Sequence, residues 1–163
     1  MEIRKQEPPE YGERVLYQEL ESNLALKNPL INDIISVLDE KGFLDEDDKI
    51  WARLCLDEVI VNAIKHGNKE CKNKKFTTAL YATDKEWAVR VEDEGEGFSP
   101  DEVPDVEDEE TLGYDHGRGI LLMKNYMDEI WYFNNGASVQ LMRYKRSKFR
   151  KLLDKILVFF KIK

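Results

Sequence analysis

A chain of 163 residues is long enough for one domain with a buried core and short for two. Its formal charge of −8 conceals a split: residues 145–163 hold eight basic side chains against the single Asp154, a net +7, which leaves −15 on residues 1–144. So acidic a body argues against nonspecific nucleic-acid binding, whose affinity comes from neutralised phosphates, and suits either a protein partner with a basic patch or plain solvation.

No apolar run approaches the roughly 20 residues needed to span a bilayer, and a start holding Glu2, Arg4, Lys5 and Glu7 is no signal peptide, so the expectation is a cytoplasmic protein. The two cysteines, Cys55 and Cys71, lack any paired metal-ligand spacing. Cys55 falls inside an apolar helical pattern, which predicts a buried, reduced thiol.

Residues 1–12 are polar and contain Pro8, Pro9 and Gly12, which predicts a frayed arm. Arg14 to Leu20 alternates as a strand does. Pro29 suits an early helical position, and Leu30, Ile31, Ile34, Ile35, Val37 and Leu38 recur at helical spacing until Gly42 stops the run. Asp45 to Asp48 sets carboxylates at a helix start, and the stretch from Lys49 to His66 is apolar around most of its circumference, predicting a largely buried second helix. Phe76 to Thr83 and Trp87 to Glu92 form a hairpin about Asp84-Lys85-Glu86. Residues 98–116 are acidic, contain Pro100 and Pro104 and show no periodicity, so they form a long loop of the kind compact domains keep for a use. Gly119 to Met127 has helical spacing, and Ile130 to Phe133 and Ala137 to Tyr144 form a second hairpin about Asn134-Asn135-Gly136. The expected class is α+β: a two-layer sandwich of about three helices on one face of a mixed, mainly antiparallel five-stranded sheet, followed by a basic amphipathic C-terminal helix.

Three polar or glycine-rich islands stand between these apolar runs. The first is Glu58-Val59-Ile60-Val61-Asn62-Ala63-Ile64-Lys65-His66-Gly67, in which Glu58, Asn62 and Lys65 at i, i+4 and i+7 share one helical face. A solvated face ending in a capping Gly67 explains the same pattern. The second, Asp93-Glu94-Gly95-Glu96-Gly97, leaves a strand; its glycines permit close approach to the backbone and Asp93 can accept a hydrogen bond from an amino group, although an acidic turn is the alternative. The third, Gly113-Tyr114-Asp115-His116-Gly117-Arg118-Gly119, opens a helix whose free N–H groups favour an anion, with Arg118 as a further donor; the alternative is a glycine hinge whose arginine offsets the acidic loop. Any one island is weak, and the ordered set of three is much rarer.

The set resembles the N, G1 and G2 boxes of the Bergerat-fold (GHKL) ATPases, which include gyrase, Hsp90, histidine kinases and MutL. Within them the wording from Leu56 to Gly67 resembles the anti-sigma-factor serine/threonine kinases, over roughly residues 13–144. The resemblance implies ATP and Mg²⁺ as cofactors, Asn62 as the metal ligand and Glu58 as the general base. It implies Asp93 as the partner of the adenine amino group, with Gly95 and Gly97 shaping the pocket. Lys65 and the backbone at Gly117, Arg118 and Gly119 then hold phosphates, and residues 98–116 form a lid. The implied partners are a small antagonist (anti-anti-sigma) protein as phosphoacceptor, a sigma factor and a second copy of the chain. Two features depart from the family's pattern: Gly136 is followed by Ala137 and Ser138 where a threonine is frequent, and the lid is unusually acidic.

Two rival readings accompany the kinase: a non-catalytic regulatory module of the same fold, and a detached histidine-kinase catalytic domain. The tail, with Phe149, Leu152, Leu153, Ile156, Leu157, Phe159 and Phe160 among its basic residues, fits a helix on a membrane surface or a partner, or one that packs on its own domain.

Overall fold

A computed structural model describes residues 2–4, 6–9, 11–97 and 117–146, excluding the side chains of 2–4 and 117–121. The segment expected to form a lid, 98–116, and the tail from 147 lie outside the described residues. Strands β1 (Glu2–Arg4), β2 (Glu13–Glu21), β3 (Lys75–Ala82), β4 (Glu86–Asp93), β5 (Glu129–Phe133) and β6 (Ser138–Tyr144) form one sheet in the order β1-β5-β6-β4-β3-β2. Every neighbouring pair is antiparallel except β1 with β5, where Glu2 to Arg4 pair with Glu129 to Trp131. The α+β class holds, with one correction: the arm expected to fray supplies a sixth, short edge strand.

Helices α1 (Lys27–Glu40), α2 (Glu46–Asn62) and α3 (Gly117–Tyr126) accompany the sheet, with short helical turns at Leu24–Leu26, Ala63–Gly67 and Asn134–Gly136. α1 stops because Gly42, at φ +68°, takes the left-handed conformation that lets Gly42 N–H donate to Asp39 and Phe43 N–H to Leu38. α2 starts in a reciprocal cap: Asp45 Oδ1 accepts from Asp48 N–H at 2.9 Å, and Asp45 N–H donates to Asp48 Oδ2 at 3.3 Å. The turn between β5 and β6 places Asn134, Asn135 and Gly136 all at positive φ, which this residue choice tolerates.

The core lies between the helices and one face of the sheet. Leu30, Ile31, Ile34 and Leu38 of α1 and Ala52, Cys55, Leu56, Val59 and Ile60 of α2 meet Phe76, Leu80, Trp87, Val89, Val91, Ile130 and Leu141. Largely complete burial of the second helix was expected; instead Ile50 (62%), Trp51 (45%) and Leu54 (44%) stay exposed. α2 belongs to an outer layer, so one side of it packs and the other meets solvent. Cys55 is buried and free as expected, and Cys71 is exposed. No helix among the described residues is long and apolar enough to cross a membrane.

Candidate functional site

The sequence pattern sets Glu58 and Asn62 one α-turn apart, and the structure joins them: Asn62 Nδ2 donates to Glu58 Oε1 at 3.0 Å, with both residues half-buried. That bond fixes the amide plane and leaves Asn62 Oδ1 without a partner among the described residues. Burial first, and then the Glu58 charge, push the Tyr132 hydroxyl up to about 12.

Beyond Asn62 the helix widens into a π turn, Ala63–Gly67, closed by Asn68 N–H to Ala63 C=O at 2.8 Å. Lys65 lies on this turn and is exposed, beyond the α geometry that carries Glu58 and Asn62.

The π turn carries Gly67 against β4. A Cβ on Gly67 would overlap the Asp93 carboxylate, and one on Gly95 would overlap the Gly67 carbonyl and lie 2.7 Å from Asp93 Oδ1. The first two islands are therefore in direct contact. Asp93 continues the parity of Val89 and Val91, so it points to the helix side of the sheet. Its Oδ1 accepts from Gly95 N–H at 2.8 Å, and its backbone N–H donates to Ala137 C=O at 2.9 Å. Burial raises the Asp93 carboxyl above the usual range, while the Gly95 N–H and the Lys74 charge pull it back.

Gly97, at φ +74°, lies against the β5–β6 turn, and a Cβ there would overlap Asn135 C=O. Gly95 and Gly97 thus also permit close contacts between chain segments, which their spacing alone does not indicate. Ser138 lies on the other side of the sheet from Asp93: it pairs in register with Glu92, donates to Glu92 Oε1 at 3.2 Å and accepts from Asn134 Nδ2 at 2.9 Å.

Asn68 escaped the sequence reading. It is fully buried, its Nδ2 donates to Ser22 Oγ at 2.6 Å and to Lys75 C=O at 2.7 Å, and its Oδ1 accepts from Glu94 N–H at 2.9 Å. One amide thereby ties the end of β2, the start of β3 and the loop carrying Gly95 to the end of α2. The only available signal was an amide directly after Gly67, which looks the same in an exposed turn.

Gly117, Arg118 and Gly119 form the first turn of α3, with their N–H groups at its start; the Arg118 side chain lies outside the described part. The far end of α3 is anchored. Tyr126 Oη donates to Asp48 C=O at 3.1 Å and to its Oδ1 at 3.3 Å, and the Arg143 guanidinium stacks 3.6 Å over the Tyr126 ring. Arg143 also donates to Tyr126 C=O and, at 3.2 Å, to Asp48 Oδ1.

The donor set fits the groups implied by sequence. A free amide oxygen with a fixed orientation is a hard ligand of the kind Mg²⁺ takes alongside water and phosphate. A half-buried carboxylate with Oδ2 unpartnered among the described residues suits an amino donor.

Residues 22–143 match the family described as Histidine kinase-like ATPase domain. No curated protein matches the chain.

Proposed function

We propose that this chain, which belongs to the histidine kinase-like ATPase family of the GHKL superfamily, uses its ATP-binding domain as a serine/threonine protein kinase of the anti-sigma-factor type. The substrate is a serine or threonine on a small antagonist protein, and a sigma factor is the alternate ligand. The observation that carries this reading is the Glu58–Asn62 pair, a carboxylate held one turn from a free amide oxygen.

Asn62 Oδ1 would hold Mg²⁺, which supplies charge neutralisation at the phosphates when bound. Asp93 would accept from the adenine amino group, with Gly95 N–H fixing its carboxylate. The N–H groups at Gly117, Arg118 and Gly119 would face phosphate oxygens, joined by Lys65 from the π turn and by the Arg118 side chain. Glu58 would take the proton of the acceptor hydroxyl as its oxygen bonds to the γ-phosphorus and the bond to the β-phosphate breaks, releasing ADP. The reading also makes the protein a cytoplasmic homodimer, with residues 145–163 meeting a membrane surface or a partner.

Glu58→Gln tests the assignment, because glutamine keeps an oxygen for Asn62 Nδ2 and loses the basicity. With Mg·ATP and native cytosol, mass spectrometry should find a phosphoserine or phosphothreonine on a small protein, falling roughly 10²- to 10⁴-fold with the variant while ATP binding persists. ATP binding without phosphate transfer to any protein would refute the kinase and leave a sequestering module.

A further inference from the structure

We propose that the sheet face turned away from the helices carries a second ligand site, built for a small monocarboxylate. It is independent of the nucleotide reading, since its residues lie on the opposite side of β4 from Asp93.

A cavity of about 370 Å³ opens there, at the small end of the range for ligand pockets. Its lining includes Glu7 and Tyr11 from the N-terminal arm, Arg14 from β2, Tyr81 from β3, Arg90 from β4 and Gln140 from β6. Strand register makes this one surface: Arg14 pairs with Tyr81, and Arg90 pairs with Gln140.

The polar groups left over are donors. Gln140 is 1% exposed; its Oε1 accepts from Arg90 Nε at 2.9 Å, and its Nε2 has no partner among the described residues. That amide has almost no accessible surface of its own, so Gln140 acts on the cavity by holding Arg90 Nε and thereby setting the plane of the guanidinium. Arg90 is held by that bond and by the rings of Tyr81 and Phe133, 5.7 and 5.0 Å away, while its two Nη groups have no hydrogen-bond partner among the described residues. Arg14 rests over the Tyr17 ring at 4.9 Å and likewise donates to no described group. Arginine's planar fork matches the two oxygens of an oxyanion.

Charge selects among oxyanions. Arg14 and Arg90 against Glu7 give the lining a formal +1, which balances a carboxylate and leaves a phosphate dianion in excess. The Tyr11 hydroxyl is already committed to Glu129 at 2.7 Å, and burial keeps it protonated, so it adds no charge. Tyr11 and Tyr81 offer ring faces to the body of the ligand.

The test uses the full-length protein, benzoate as probe, and amide chemical shifts as readout. Benzoate should shift Arg14, Tyr81, Arg90 and Gln140 saturably, with or without ATP, and phenyl phosphate and benzamide should bind more weakly. Arg14→Gln, at an exposed position where folding is not at stake, should weaken benzoate roughly tenfold, and Gln140→Leu should weaken it too. The proposal is overturned by an absence of saturable shifts at those residues, by shifts centred on Asn62 and Asp93 instead, by phenyl phosphate or benzamide binding as tightly as benzoate, or by a folded Arg14→Gln protein that binds benzoate unchanged.

Discussion

Replacing Asn68 by alanine removes three hydrogen bonds made by a residue with no exposed surface. Ser22 is itself buried, so its hydroxyl loses a partner that water cannot replace; Lys75 and Glu94 are exposed residues whose backbone groups can recover one in part. An abandoned buried polar group costs about 1–3 kcal/mol, and one full loss plus two partial ones gives about 2–4 kcal/mol. With a urea dependence of about 2 kcal/mol per molar, the unfolding midpoint should fall by about 1–2 M. Asn68→Asp should be worse than alanine, because it keeps the acceptor for Glu94 N–H and turns a buried charge toward the Lys75 carbonyl. ATP affinity, read by calorimetry on the folded variants, should fall as well, since Glu94 N–H anchors the loop after Asp93. An alanine variant within about 0.5 kcal/mol of wild type, or an aspartate variant more stable than the alanine one, would refute this account.

Asp93→Asn should preserve the fold and weaken ATP by roughly tenfold or more, since it can set a donor against the adenine amino group. Burial raises the Asp93 carboxyl in the folded state, so its stabilising share is present below the unfolded pKa and lost as pH rises through the folded one. The asparagine variant should therefore gain on wild type in urea midpoint between acid and neutral pH; a widening deficit over that range would contradict the burial argument. Arg143→Met removes the guanidinium that meets the Asp48 carboxylate, whose side chain is 10% exposed and which keeps the Asp45 N–H and the Tyr126 hydroxyl, and should cost about 1.5–3 kcal/mol in urea unfolding, of which Asp48→Asn in the same chain restores part. Burial pushes the Cys55 thiol up to about 12, from an ordinary value near 9.0. A raised folded pKa means this contribution is complete below about 9 and is lost as pH climbs toward 12, because the unfolded chain releases the proton first. A thiol reagent at mildly alkaline pH should accordingly find Cys71 alone in the native protein and both cysteines after denaturation; rapid native labelling of two would count against the buried placement.

The elements with strong local signals are legible in the sequence. β3 and β4 announce themselves by branched and aromatic residues in alternation, α1 by its apolar spacing and Gly42, and the β5–β6 turn by two asparagines and a glycine. β1 is not, because its pairing with β5 joins residues more than a hundred positions apart and three residues carry no period. The Glu58–Asn62 contact follows from helical spacing, whereas the π turn that carries Lys65 does not, because nothing local distinguishes an α turn from a π turn. Gly67, expected only as a helix cap, and Gly95 and Gly97 also serve contacts between segments that only the tertiary fold brings together. Ile50, Trp51 and Leu54 looked like core because composition registers apolar character and not which side of α2 the sheet covers.

The π turn explains why the site holds together at the end of α2. In a continuous α-helix a residue five positions on lies about 140° around the axis from its starting point, so Asn68 would face away from Ala63. Ala63 is buried on the core side. Closing Asn68 N–H onto Ala63 C=O instead brings Asn68 beneath Ala63 and inward, where its amide can reach Ser22, Lys75 and Glu94 together. The same widening sets Gly67 against the Asp93 carboxylate while Glu58 and Asn62, still on regular α geometry, keep their own bond. A displacement of the C-terminal end of α2 relative to β4 would therefore have to break the Asn68 bonds and open the Gly67–Asp93 contact together. The carboxylate proposed for the adenine and the amide oxygen proposed for the metal are held in one frame by a residue that touches neither ligand.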